Sequence, residues 1–120
     1  MGNNRFDNGD GTITDTATGL VWQGEDDDMA RDWKKAQDYA KALALAGQTD
    51  WRVPTVEELW SLANLLKCGP ASEWPGMKSA HYWSSSTYVE KPQNAWVVYF
   101  GSGSINFSNK NNGYRVRCVR

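Results

Sequence analysis

The hydrophobic pattern divides the chain into an alternating start, a middle with helical spacing and an alternating end. At the start, Thr12-Ile13-Thr14-Asp15 alternates after the turn-forming pairs Asn8-Gly9 and Asp10-Gly11, and Thr18-Gly19 turns the chain back into Leu20-Val21-Trp22. Period-two alternation bounded by such turns predicts a β-hairpin near the N-terminus. Further on, Trp33, Ala36, Tyr39, Ala40 and Leu43 recur at helical spacing before Gly47, which predicts a helix over about residues 32–46 with Asp32 as its cap.

Trp51-Arg52-Val53-Pro54 is a short extended piece that leads into Thr55-Val56-Glu57-Glu58. Thr55 and Glu58 have the spacing of a capping box, in which each side chain satisfies a free amide of the first turn. Leu59, Leu62, Ala63 and Leu66 then mark a second amphipathic helix ending near Lys67. Residues 69–79 hold two Pro and two Gly without periodicity and read as a loop. From His81 onward the pattern predicts strands over 81–86, 95–100, 104–108 and 114–119, separated by Pro92 and Asn94, by Gly101 and Gly103, and by residues 109–113. Hairpin, helix, helix and then strands is an α+β order rather than a βαβ one.

A length of 120 residues suits one domain, 1–120, with no segment that reads as a linker. At 40% hydrophobic and 22% charged the composition is that of a folded chain, and seven Trp supply large rigid area for a small core or a contact surface. The net charge of -1 is unevenly distributed. Residues 1–80 carry 8 Lys/Arg against 13 Asp/Glu, and residues 81–120 carry 5 against 1, so the halves stand at -5 and +4. No basic stripe of the kind that grips a phosphate backbone is present, which argues against nucleic acid as partner. No run approaches the length of a membrane span, so membrane insertion is not expected. The opening Met1-Gly2-Asn3-Asn4-Arg5-Phe6 has neither a signal-peptide apolar core nor the Ser/Thr of a myristoylation site. Localisation is not fixed by these features; a cell surface, a secreted protein or a phage particle suits them best.

Candidate chemistry is sparse. The sole histidine, His81, abuts Tyr82-Trp83, where a structural role is the plainer reading. Ser84-Ser85-Ser86 lacks a nucleophile elbow and reads as a polar strand edge. Phosphate-loop, zincin and dinucleotide motifs are absent. Glu25-Asp26-Asp27-Asp28 and Asp7-Asn8-Gly9-Asp10 offer oxygen ligands, but neither fits the EF-hand pattern, and a solvated acidic loop and Asx turns account for them. No cofactor or metal is expected, and the chain is not expected to be an enzyme. Cys68 and Cys118 form a disulfide if the chain end returns to the middle, or else are buried thiols.

The last forty residues carry the binding signal. Tyr82, Trp83, Tyr88, Trp96, Tyr99, Phe107 and Tyr114 interleave with Ser, Asn, Gly and Lys, a mixture of rigid contact area and adaptable hydrogen bonding. Plain strand alternation is the alternative, with Trp83, Trp96 and Val98 spaced to share a core face. Four Asn within seven residues, Asn106, Asn109, Asn111 and Asn112, exceed what a turn requires.

Arg5-Phe6-Asp7-Asn8-Gly9-Asp10-Gly11-Thr12-Ile13-Thr14-Asp15, Thr18-Gly19-Leu20-Val21-Trp22-Gln23, Asp50-Trp51-Arg52-Val53-Pro54-Thr55-Val56-Glu57-Glu58-Leu59, Tyr82-Trp83-Ser84-Ser85-Ser86, Ala95-Trp96-Val97-Val98 and Val116-Arg117-Cys118-Val119-Arg120 follow in order along the chain. Together they resemble the domain at the C-terminus of Legionella collagen-like proteins. The resemblance implies a C-type-lectin-like fold, related to the formylglycine-generating enzyme and to the variable proteins of diversity-generating retroelements. In such variable proteins, adenine-directed mutagenesis rewrites the final segment, and Asn codons are favoured targets. The resemblance thereby implies a variable or display region over 81–120, with Trp83, Trp96 and the closing Arg-Cys-Val-Arg as scaffold. The displayed, ligand-binding positions would be Tyr88, Val89, Lys91, Gln93, Ser102, Ser104, Asn106, Ser108, Lys110, Asn112 and Tyr114. The oxidase chemistry of the formylglycine-generating enzyme rests on a close cysteine pair, whereas Cys68 and Cys118 are fifty positions apart. The calcium-site motifs of lectins are absent as well, so the fold alone does not imply sugar binding.

The sequence therefore predicts an α+β domain of C-type-lectin-like fold, with two helices packed beside a twisted antiparallel sheet and the N-terminal hairpin near the C-terminal strand. Its expected function is non-catalytic recognition of the exposed surface of a protein or glycan, in the first instance as a hypervariable receptor-binding or display protein. Self-association is compatible with this. The rivals are an invariant adhesion or structural domain and, less well supported, an enzyme.

Overall fold

The computed structural model describes residues 4–120. The opening residues 1–3, on which the lipid-anchor reading bears, lie outside the described residues. The chain forms β1 (Arg5–Asp7), β2 (Thr12–Asp15), β3 (Val21–Gln23), α1 (Trp33–Ala42), α2 (Val56–Trp60), β4 (His81–Thr87), β5 (Asn94–Tyr99) and β6 (Ser104–Asn109). The strands make two antiparallel three-stranded sheets, ordered β1-β2-β3 and β4-β5-β6. The architecture is α+β, with two sheets where the pattern suggested one sheet and a hairpin. The extra strand is β1, whose Phe6 pairs with Thr14.

Both helices are shorter than their apolar spacing suggests. The Asp32 side chain caps α1 through the amide of Lys35, but the helix stops at Ala42. Leu43 is already extended, and Leu45 and Gln48 exchange backbone hydrogen bonds of 3.1 and 3.0 Å around a left-handed pair, Ala46 at φ 56° and Gly47 at φ 74°. Two successive positive-φ residues make a tight turn, and that turn ends the helical run. At α2 the capping box is present: the Glu58 amide donates to Thr55 Oγ1 at 3.2 Å and the Thr55 amide donates to Glu58 Oε1 at 2.9 Å. Arg52 then pairs with the same carboxylate. The helix ends after Trp60 because the chain leaves it to bond elsewhere, the Asn64 amide donating to the Ala71 carbonyl at 2.7 Å. Leu66, which fits the helical spacing, is 96% exposed.

The second sheet lies between two apolar clusters. Trp83 pairs across from Val97 and Tyr82 across from Val98, and adjacent strand residues point to opposite faces. On one face Trp83, Ala95 and Val97 pack with Ala36 and Ala40 of α1 and with Val116 and Cys118. On the other, Tyr82, Val98 and Phe100 pack with Leu59 of α2, Leu62, Trp22 and Val119. The helices thus cover opposite faces rather than one side. The expected sharing of a face by Trp83, Trp96 and Val98 does not hold: register puts Trp96 and Val98 on the face opposite Trp83. A bulge between Trp83 and Thr87 accompanies this. There Ser84, completely buried, donates its hydroxyl to the Trp96 carbonyl at 2.6 Å, so it is not the polar edge residue expected.

Residues 114–119 do not form the predicted fourth strand. They bridge several partners one residue at a time: Tyr114 to Arg31, Arg115 to Tyr82, and Val119 to both Trp22 and Arg52. The Val21 amide donates to the Arg120 carbonyl at 2.8 Å and the Arg120 amide donates to the Val21 carbonyl at 2.8 Å, so the first sheet does lie against the chain end.

The charge asymmetry of the sequence is resolved by folding. Asp26 is buried, and with Asp28 it binds Arg115 (3.2 and 2.5 Å) and Lys78 (3.7 and 3.6 Å). Asp27 binds Arg31, and Asp50 binds Arg120. Asp26, Asp27 and Asp28 therefore pair with Arg31, Lys78 and Arg115, the last of them from the C-terminal half; Asp26 is buried, while Glu25, Asp27 and Asp28 stay exposed.

Candidate functional site

Strand β6 reads Ser-Ile-Asn-Phe-Ser-Asn, and its side chains are exposed on both faces, Ser108 alone being half-buried. It hydrogen-bonds to β5 on one side and is the outer strand of its sheet. Side chains at alternate positions share a face, so Ser104, Asn106 and Ser108 fall on one face and Ile105, Phe107 and the terminal Asn109 on the other.

The polar face gathers many of the expected residues. Ser104, Asn106 and Ser108 stand in a row opposite Tyr99, Val97 and Ala95. Side-chain hydrogen bonds tie neighbours into the row: Ser102 Oγ lies 3.1 Å from Ser104 Oγ, and Asn106 Nδ2 donates to Ser104 Oγ at 3.4 Å. At the far end Asn112 Nδ2 donates to Ser108 Oγ at 2.7 Å, and Ser108 Oγ lies 2.9 Å from the Tyr114 hydroxyl. Behind the row the rings of Tyr99 and Tyr114 both stack on His81, at 4.5 and 4.9 Å between centroids. Burial lowers the His81 pKa, which favours the neutral form of its ring. Tyr99 was among the interleaved aromatic residues of the sequence but not among the displayed positions, and His81 was expected to be structural.

The apolar face carries a second cluster. Phe107 lies across from Trp96. Tyr88 stacks on Phe107 at 4.2 Å and 9°, while Trp96 meets both rings edge-on at 5.1 and 5.8 Å. Phe107 is 47% exposed and Trp96 half-buried, so Trp96 supports a partly exposed cluster instead of the core assigned to it. Ile105 was passed over in the sequence, and Phe107 was named among its interleaved aromatic residues but not among the displayed positions; their alternation with Ser and Asn was the available signal.

The remaining expected residues divide. Val89, Lys91 and Gln93 are exposed in the turn between β4 and β5, close to the end of β6, where the Lys110 amide donates to the Gln93 carbonyl. Lys110 itself is a packed residue: its ammonium sits 4.0 Å over the Trp33 ring and donates to Thr87 Oγ1 at 3.0 Å. Tyr114 is half-buried, with its ring edge 5.0 Å from the buried Trp83. Asn109 Oδ1 accepts from the Asn111 amide at 2.8 Å. With the bond from Asn112 to Ser108, this gives part of the Asn cluster an ordinary turn-building role.

The cysteines are not bridged: Cys68 is exposed and Cys118 buried. Burial pushes the Cys118 thiol up to about 12, which keeps it protonated. Arg117 is wholly buried and donates to the Gln23 and Gly24 carbonyls at 2.8 and 2.7 Å, and burial brings its pKa down to about 10. With Cys118 and Val119 it serves as scaffold. Among the described residues no three His, Cys, Asp or Glu side chains converge as a metal site, and no helix is long and apolar enough to cross a membrane.

Two cavities lie away from this surface, and none of the expected ligand-binding residues lines either. One, of about 400 Å³, is lined by Arg5, Asp15, Asn64, Glu73 and Trp74 among others. The other, of about 630 Å³, lies between Asp7, Gly11, Gln23, Tyr39 and Leu45.

Compared with known proteins, residues 11–120 match the family model described as the Lcl C-terminal domain. No curated protein matches the chain.

Proposed function

The chain belongs to the Lcl C-terminal domain family, and on that premise we propose that it is a non-catalytic recognition domain acting outside the cell. It binds the exposed surface of a protein or glycan through the polar face of β6. The observation that carries this reading is the row of Ser102, Ser104, Asn106, Ser108 and Asn112. Ser104, Asn106 and Ser108 lie exposed or half-buried on one face, Ser102 and Asn112 bond to its two ends, and Tyr99, His81 and Tyr114 back it. A core packing role would bury such residues, whereas a surface that recognises a partner leaves them presented on a rigid strand.

In the same reading the domain has a C-type-lectin-like fold, and a retroelement diversifies the face. Sequencing the native locus tests this: a nearby near-copy of the DNA for residues 81–120, differing at adenines beside a reverse-transcriptase gene, is expected. Differences should fall at Ser104, Asn106 and Ser108 and spare Trp83, Val97 and Arg117. Absence of such a copy, or differences at the buried positions, counts against diversification. The turn-building bonds of Asn109 and Asn112 favour a second reading, an adhesion domain with a fixed surface. It predicts one invariant tail in every copy of the gene.

A further inference from the structure

We propose that the cavity of about 400 Å³ beside Trp74 is a second binding site and takes a neutral pyranose sugar. Its volume lies in the range of small-molecule sites and accommodates a single sugar ring. It is bounded by the end of β2 and its following turn, by the segment after α2, and by Glu73 and Trp74.

Trp74 gives the cavity an aromatic wall. Its half-buried ring packs at 6.3 Å against the fully buried Trp22, and the guanidinium groups of Arg5, from the cavity lining, and of the buried Arg117 each lie 5.9 Å from its centroid. Around it stand side chains already oriented by bonds to their own surroundings. Asp15, 7% exposed, accepts from the Ala17 amide at 3.0 Å. Asn64 accepts from the Leu66 amide at 3.0 Å and donates to Glu73 Oε2 at 3.1 Å. Thr18 Oγ1 accepts from the Leu20 amide at 3.2 Å.

This set selects among ligands. A purely apolar ligand would strip water from Asp15, Asn64 and Glu73 and return no hydrogen bonds, which is costly. Arg5 at +1 against Asp15 and Glu73 at -2 gives the lining a charge of -1, which opposes phosphate, sulfate and carboxylate groups. A pyranose offers what remains. One face of C–H groups covers an aromatic ring, and adjacent hydroxyls donate to carboxylates and accept from an amide or guanidinium. Orientation of the polar groups before binding lowers the ordering cost that a small ligand must overcome.

The test is a titration of the full chain with glucose, galactose, mannose and N-acetylglucosamine, followed by amide NMR shifts and tryptophan fluorescence. Tetramethylammonium chloride and sodium sulfate serve as charged probes. At least one sugar is expected to shift residues 61–65, Glu73 and Trp74 with a Kd on the order of 1 mM. Glu73→Gln, a surface substitution that leaves Trp74 in place, should weaken that sugar about fivefold or more. Absence of shifts at these residues with all four sugars up to about 100 mM overturns the proposal. Shifts there with tetramethylammonium or sulfate alone overturn it in favour of a charged ligand. Sugar shifts confined to β6 overturn it too, and would instead place the sugar on the surface described above.

Discussion

Replacing Tyr114 by Ala separates a displayed side chain from a structural one. As a binding hot spot on an open face, Tyr114 could be removed with little effect on melting. The structure predicts otherwise. The ring is half-buried, stacks on His81 at 4.9 Å, meets the buried Trp83 edge-on at 5.0 Å, and its hydroxyl lies 2.9 Å from Ser108 Oγ. Half of a fully buried aromatic's area is about 100 Å², which at about 25 cal/mol per Å² amounts to roughly 2.5 kcal/mol. Two ring contacts and one partly exposed hydrogen bond bring the loss to about 3 kcal/mol. For a domain of this length that lowers Tm by about 10 °C. Tyr114→Phe, which keeps the ring, should cost about 1 kcal/mol or less, and Asn106→Ala should stay within about 0.5 kcal/mol. Calorimetry or urea unfolding of the three variants reads the order directly. If Tyr114→Ala melts within about 1 °C of the parent, the assignment of Tyr114 to the packed wall behind the row is wrong.

Three further outcomes follow from the same structure. Under native conditions one thiol, Cys68, should react rapidly with a disulfide reagent, and Cys118 only after denaturation; two fast thiols, or none, would contradict their placement. Asp27, Asp28, Asp50 and Glu58 are held below their ordinary pKa by hydrogen bonds from Arg31, Arg115, Arg120 and Arg52. Their stabilisation is complete above the ordinary carboxylate values and is lost as pH falls through the lowered ones. His81, lowered by burial, adds a loss of the same sign as pH falls below its ordinary 6.5. Tm should therefore fall from pH 7 to pH 3, and a flat or rising profile would refute these pairings. Thr55→Ala removes one half of the capping box and should cost about 1 kcal/mol by urea unfolding; no loss would mean that the cap contributes nothing.

The sequence made the starts of elements more legible than their ends. Asp32 and Thr55 are caps because their chemistry is local, acting within three residues. The helix ends depend on distant partners, such as the bond from Asn64 to Ala71, which spacing does not reveal. The hairpin beside the chain end was expected, but the closing segment pairs residue by residue with four separate positions, Trp22, Arg31, Arg52 and Tyr82, and so forms no regular strand. The polar row was readable because Ser and Asn alternate along β6. The grouping of Trp96 with Phe107 was not, since it depends on strand register and on the bulge that buried Ser84 occupies. Lys110 looked displayed by residue type, yet a cation placed over the Trp33 ring is a tertiary contact between positions far apart in sequence. Charge halves of -5 and +4 were visible in the sequence, but their pairing through Arg115 and Arg120 required the fold.

The central claim, that the polar face of β6 is the ligand surface, is tested most directly by blocking it. Arrays of glycans and cell-surface proteins would be probed with the parent, with a Ser104→Arg, Asn106→Arg double variant at two exposed positions of the row, and with Lys34→Glu on the exposed side of α1 as control. All three should melt within about 2 °C of one another. The account predicts that every signal of the parent is lost in the double variant and retained in the control. Signals unchanged in the folded double variant would contradict it and place the binding surface elsewhere on the domain.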